Sequence, residues 1–95
     1  MKLDVAPMES GITMVSLLGR MDIEGALKID SEFNKIAEKN ENVLVDLSEG
    51  TFIASLGVHT LVTGATATIN NGGKMVLLNP HPNVERVLRT FAWIP

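Results

Sequence analysis

Apolar and polar positions alternate along the 95-residue chain between short β-type runs and longer stretches with helical spacing. Lys2 to Ala6 reads as a short strand, closed by Pro7 and the turn-like Glu9-Ser10-Gly11. Ile12 to Leu18 (ITMVSLL) is a stronger one, rich in β-branched residues and free of breakers until Gly19. The two runs are close enough to pair as a hairpin. From Ile23 to Asn40 the apolar residues fall at 26, 29, 33, 36 and 37, the stripe of an amphipathic helix. Asp22 is placed to cap that helix, Glu24 and the pair Lys35 and Lys39 suit its dipole, and Asn40 is its stop.

The stretch the chain is organised around is Val43 to Val58, VLVDLSEGTFIASLGV. Val43, Leu44, Val45 and Leu47 predict a strand buried on both faces. Ser48-Glu49-Gly50-Thr51 breaks it, and after Phe52 and Ile53 comes Ser55, directly ahead of a new helical stripe at 58, 61, 62, 65 and 69. That helix holds Thr60, Thr63, Thr66, Thr68 and Gly64, all poor helix formers, with Gly64 costing about 1 kcal/mol relative to Ala. Tertiary packing must hold it, and Gly64 predicts a close approach to a neighbour. Asn70-Asn71-Gly72-Gly73 ends it. Lys74 to Leu78 (KMVLL) is a further buried strand, Asn79 to Asn83 a turn, and Val84, Val87, Leu88 and Phe91 the inner face of a last helix. This order predicts an α/β fold: one domain over residues 1–95, a mixed, mainly parallel four-stranded sheet, right-handed crossovers and about three helices. Sites in such sheets lie beyond the carboxyl ends of the strands. Gly19–Asp22, Ser48–Ser55 and Asn79–Pro82 are therefore expected to be spatial neighbours.

Composition narrows the picture. A hydrophobic fraction of 45% supports a core, built from aliphatic side chains because Phe33, Phe52, Phe91 and Trp93 are the only aromatics. The absence of cysteine excludes disulfides and thiolate metal sites and fits a reducing, cytoplasmic setting. The N-terminal MKLDV has no apolar signal core, and no run is long enough for a membrane span, so membrane insertion is not expected. With a net charge of −3 and no basic cluster, nucleic acid is not an expected partner.

Chemistry concentrates at Ser55. A strand delivers this serine to a helix entrance, where open N–H groups and the positive dipole end welcome added negative charge. The serine reads either as a plain N-cap, worth about 1 kcal/mol, or as a switch residue; the two roles are compatible. A phosphate there would add about −1.5 to −2 charge without unfolding the domain, its effect being felt at a partner surface. Asp22 and Asp46 read as a cap and a strand-end residue rather than a metal pair, for want of a third ligand. His59, one turn after Ser55, reads as a solvent-facing contact to a partner or to the phosphate, and His81 as a loop residue. A Ser–His–Asp hydrolase is the weakest reading, because the elbow is I-A-S-L-G and not G-x-S-x-G. The glycines form no phosphate-binding fingerprint and no cofactor is expected, while Met8, Met14, Met21 and Met75 read as core filler.

These motifs, in this order, resemble a STAS domain of the bacterial anti-sigma factor antagonist family. The matching residues are Gly19-Arg20-Met21-Asp22, Val43-Leu44-Val45-Asp46-Leu47-Ser48, Phe52-Ile53-Ala54-Ser55-Leu56-Gly57, and Asn79-Pro80 through Val84-Glu85-Arg86-Val87-Leu88. The resemblance implies a non-enzymatic regulator, monomeric or weakly dimeric. Its partners would be an anti-sigma factor serine kinase, which the unphosphorylated form binds to free the sigma factor, and a PP2C-type phosphatase. Ser55 falls at the phosphorylated position, and Asp22, Ser48, Phe52, Ile53, Ala54, Leu56, Gly57 and His59 would form the partner-binding surface. Two residues depart from the family pattern: Ala54 stands where an acidic or polar residue is usual, and Leu56 where a small one is. They bear on kinase recognition and keep open an alternative, a structural STAS subunit of a signalling assembly or membrane transporter complex that is not phosphorylated. The chain stops at Trp93-Ile94-Pro95, where many relatives continue into a further strand, and a truncated or minimal form is expected.

Overall fold

The computed structural model describes residues 1–8, 11–40 and 42–90. Strand β1 (Lys2–Pro7) and strand β2 (Ile12–Met21) form the expected antiparallel hairpin. Helix α1 (Ile23–Lys39) follows, then β3 (Asn42–Asp46), β4 (Gly50–Ile53), helix α2 (Ser55–Asn70), β5 (Lys74–Leu78) and helix α3 (Pro82–Thr90). The sheet has five strands, not four. Along the main path the order is β1-β2-β3-β5, with β3 parallel to both neighbours, and β4 pairs parallel to the far end of β2. The extra strand arises because β2 runs three residues past Leu18. A bulge between Gly19 and Arg20, with Gly19 at φ 104°, carries the pairing on to Phe52 and Ile53.

Alternation along the strands sets the layers. Thr13, Val15 and Leu17 of β2 and Val43 and Val45 of β3 are buried beneath Ala26, Ile29 and Phe33 of α1, Val58 and Leu61 of α2, and Val84 and Leu88 of α3. The intervening Met14, Ser16, Leu44 and Asp46 are only half-buried. The 43–47 strand is thus fully covered on one face rather than both, since the core packs all three helices on one side.

Helix α2 buries Val58 and Leu61 as predicted, but the rest of its covered face departs from the apolar stripe. Val62 and Ile69 are exposed at 41% and 63%, whereas Thr60, Gly64 and Thr68 are buried. Small residues win this face because α1 crosses close by: a Cβ on Gly64 would overlap the Phe33 ring and stand 3.1 Å from Met75 Cε. The Thr60 and Thr68 hydroxyls bond back to the carbonyls of Leu56 and Ala65, so their burial leaves no orphan polar group. At the far end Asn71 Nδ2 donates to the Ala37 and Glu38 carbonyls and locks the two helices together. In α3, Val84 and Leu88 are buried as expected; Phe91 lies outside the described residues.

Phe33 is fully buried, and its ring edge occupies the place a Cβ on Gly64 would take. Gly64→Ala is therefore expected to destabilise the fold by about 1–2 kcal/mol, overpacking outweighing the gain in helix propensity. The urea denaturation midpoint should fall accordingly.

Candidate functional site

The three segments expected to meet at the sheet edge do meet. Gly19 N–H donates to the Glu49 carbonyl, Ala54 N–H to the Met21 carbonyl and Leu47 N–H to the Leu78 carbonyl, all at 2.9 Å. His81 Nε2 donates to the Ser48 carbonyl at 2.6 Å, and Asn83 Nδ2 to the Thr51 carbonyl at 3.0 Å. His81 is therefore more than a loop residue. Together with Asn83 it ties the start of α3 to the loop that leads into β4.

Ser55 is exposed, as the first residue of α2. It is not the cap. Ala54, at φ −101° and ψ 172°, is the last extended residue and holds that position without a side-chain hydrogen bond. The reason is the rung from Ala54 N–H to Met21 O, which keeps the backbone extended one residue longer than the helical pattern indicates. The first-turn N–H groups of Ser55, Leu56 and Gly57 consequently have no protein acceptor among the described residues. Next to them α1 is capped as predicted, Asp22 Oδ1 accepting from Gly25 N–H at 2.8 Å.

The surroundings are mixed in character. Arg20 lies 4.4 Å from the Phe52 ring centroid and 3.9 Å from Asp22. Both contacts are solvent-exposed and worth about 1 kcal/mol or less. Phe52 is partly exposed, Leu56 and Ala54 are half-buried, and His59 faces outward. Ile53 and Gly57 are corrections to the expected surface. Ile53 is only 5% exposed, and a Cβ on Gly57 would stand 2.7 Å from Met21 Sδ and 2.9 Å from Ile53 Cγ1. Both belong to the packing that seats the start of α2 on the sheet: Ile53 turns its side chain into the core, and Gly57 leaves the room that Met21 and Ile53 fill. Conversely, Ile23 and Leu27 on the first turns of α1 are exposed at 62% and 65%. They were legible as the apolar residues that fall off the 26, 29, 33, 36, 37 stripe. Arg20 carried no such signal.

Asp46 Oδ1 accepts from Ser48 N–H at 3.0 Å and shapes the turn after β3. With Asp22 and Asp46 both engaged by backbone, no hydrogen bond links Ser55, His59 and either carboxylate among the described residues. Nor do three His, Cys, Asp or Glu side chains gather there into a metal-binding group. No helix described is long and apolar enough to cross a membrane.

Because the cap of α1 is Asp22 and α2 has none, the two substitutions should differ in cost. Asp22→Ala is expected to lose about 1 kcal/mol. Ser55→Ala should change stability by less than about 0.5 kcal/mol, the usual range for an exposed site. Chemical denaturation of both variants measures this.

The chain matches the STAS domain family model over residues 5–92. No curated protein sequence matches it significantly. Among solved structures, a putative anti-sigma factor antagonist from Thermotoga maritima superposes with a TM-score of 0.85 at 20% identity, covering 96% of this chain and 79% of that one. The Bacillus cell fate determinant SpoIIAA in its phosphorylated form gives 0.76 at 16% identity, with 95% and 83% covered. A sulfate transporter family protein from Wolinella succinogenes also gives 0.76 at 16% identity, with 94% and 73% covered. The identities are low and the shared feature is the fold, while the family match spans nearly the whole sequence: this chain belongs to the STAS domain family.

Proposed function

We propose that this chain is an anti-sigma factor antagonist of a bacterial cytoplasm, switched at Ser55. Unphosphorylated, it binds a serine-kinase anti-sigma factor and frees the sigma factor. Phosphorylation of Ser55 by that kinase ends the contact, and a PP2C-type phosphatase restores it. The observation that carries this reading is the exposed Ser55 at the first position of a helix without a side-chain cap; Phe52, Ala54, Leu56, His59, Ser48 and Asp22 are the residues we assign to the partner surface. Added phosphate there meets free N–H groups and the positive helix end, so the fold tolerates it. Partner contacts do not tolerate it, because a dianion must be stripped of water in an interface with partly apolar neighbours such as Phe52 and Leu56. Structural likeness to SpoIIAA, described in both an unphosphorylated and a phosphorylated form, supports the reading.

Ala54, together with the likeness to a sulfate transporter family protein, favours a second reading: a STAS subunit of a larger assembly that is never phosphorylated. Incubation with a cognate anti-sigma factor kinase and ATP, followed by phosphosite mapping, separates the two. Phosphate at Ser55, lost in Ser55→Ala, is the expected result; a stable complex with no modification favours the subunit. In calorimetric titration Ser55→Asp should weaken the kinase complex at least about tenfold, the worth of a charge placed against a desolvated contact. Its melting temperature should stay within about 4 °C of the parent, the shift that ~0.5 kcal/mol gives in a domain of this size.

A further inference from the structure

Between α1 and α2, starting beside Leu56 and so one residue past Ser55, lies a cleft of about 150 Å³. Leu27, Asp30, Asn34, Leu56, His59 and Thr60 form its walls. Asp30 is half-buried there; its Oδ1 accepts from Asn34 Nδ2 at 3.2 Å and competes with the Leu56 carbonyl for the single proton of the Thr60 hydroxyl, also 3.2 Å away. Its second carboxylate oxygen takes no hydrogen bond from the described residues, and the amide oxygen of Asn34 takes none either.

Among the described residues no Lys or Arg forms an ion pair with this carboxylate. The residues three and four away on α1 are Ala26, Leu27, Phe33 and Asn34, so neither turn supplies a basic side chain. Helix α2, which faces it, contains no Asp, Glu, Lys or Arg from Ser55 to Asn70. A carboxylate drawn partly out of water ordinarily holds a cation or a full set of donors. Above it the exposed Leu27 and the half-buried Leu56 offer apolar walls of the kind that cover a methylene stem.

The geometry points to this cleft as a socket for an arginine side chain of the protein partner, its guanidinium on Asp30 and Asn34 and its stem between Leu27 and Leu56. Two acceptors on successive turns of one helix match the planar fork of arginine better than the point charge of lysine. The assignment rests on the chain being a partner-binding module. It names what the partner inserts beside the switch serine.

Isotope-labelled protein titrated with N-acetylarginine amide, and in parallel with the lysine and citrulline analogues, tests this by amide chemical shifts. Saturable shifts at Leu27, Asp30, Leu56 and Thr60 are expected for arginine, with citrulline at least about tenfold weaker, as loss of a charge-assisted hydrogen bond implies. Asp30→Asn keeps an acceptor for Thr60 and Asn34 and should weaken arginine binding to the same degree, while Leu27→Ala, on an exposed side chain, should weaken it a few-fold through lost stem contact. Equal binding of citrulline, indifference to Asp30→Asn, or shifts mapping elsewhere would overturn the socket, and lysine matching arginine would overturn the assignment to arginine. The titration needs neither kinase nor phosphate. Its failure alongside a phosphorylated Ser55 removes the socket alone; success without phosphorylation removes only the switch.

Discussion

The parallel ladder between β4 and the far end of β2 is the constraint on which the site depends. Two register pairs, Arg20 with Phe52 and Met21 with Ile53, lead to a final rung from Ala54 N–H to the Met21 carbonyl. That rung sets the residue at which extended backbone becomes helix, and hence which side chain sits first in α2. Shifting the register by one would turn Ile53 out of the core and Phe52 into it. The bulge at Gly19 is what lets β2 reach this far, so the position of Ser55 is decided more than thirty residues away in sequence.

The same edge is pinned by three further hydrogen bonds. The Glu49 carbonyl is held by β2, the Ser48 carbonyl by His81, and the Thr51 carbonyl by Asn83. Each hydrogen bond contributes about 1 kcal/mol net. Their joint effect is to hold the loop before β4 in one geometry, so that a change at Ser55 is met by a stiff surface. A modification on such a surface acts through what it touches rather than by melting what lies beneath.

Helix α2 is unusual in having no charged residue over its sixteen positions, and its buried face is made of threonine and glycine as much as of aliphatics. The small residues let α1 approach, and the buried threonine hydroxyls find acceptors on the helix's own carbonyls and, for Thr60, on Asp30 as an alternative. A phosphate at its entrance would therefore be the one full negative charge on that helix.

Sequence pattern by itself determined the element order apart from β4, the hairpin, the α1 stripe with its Asp22 cap and Asn40 stop, and the meeting of three segments at one sheet edge. These follow from local rules: β-branched runs extend, a 3.6-residue spacing buries one face, and a short carboxylate before a helix satisfies its open N–H groups. The close approach at Gly64 was legible for a similar reason, since glycine inside a helix is costly unless a neighbour needs the room. Only the tertiary structure decided the rest. The four residues of β4 are too few to show a period, and they extend because β2 supplies partners. The cap fell to Ala54 instead of Ser55 because an inter-strand hydrogen bond outranked local capping preference. Val62 and Ile69 were left in solvent because α1 chose which face of α2 to cover, and that choice follows from contact shape, which no single-helix pattern encodes.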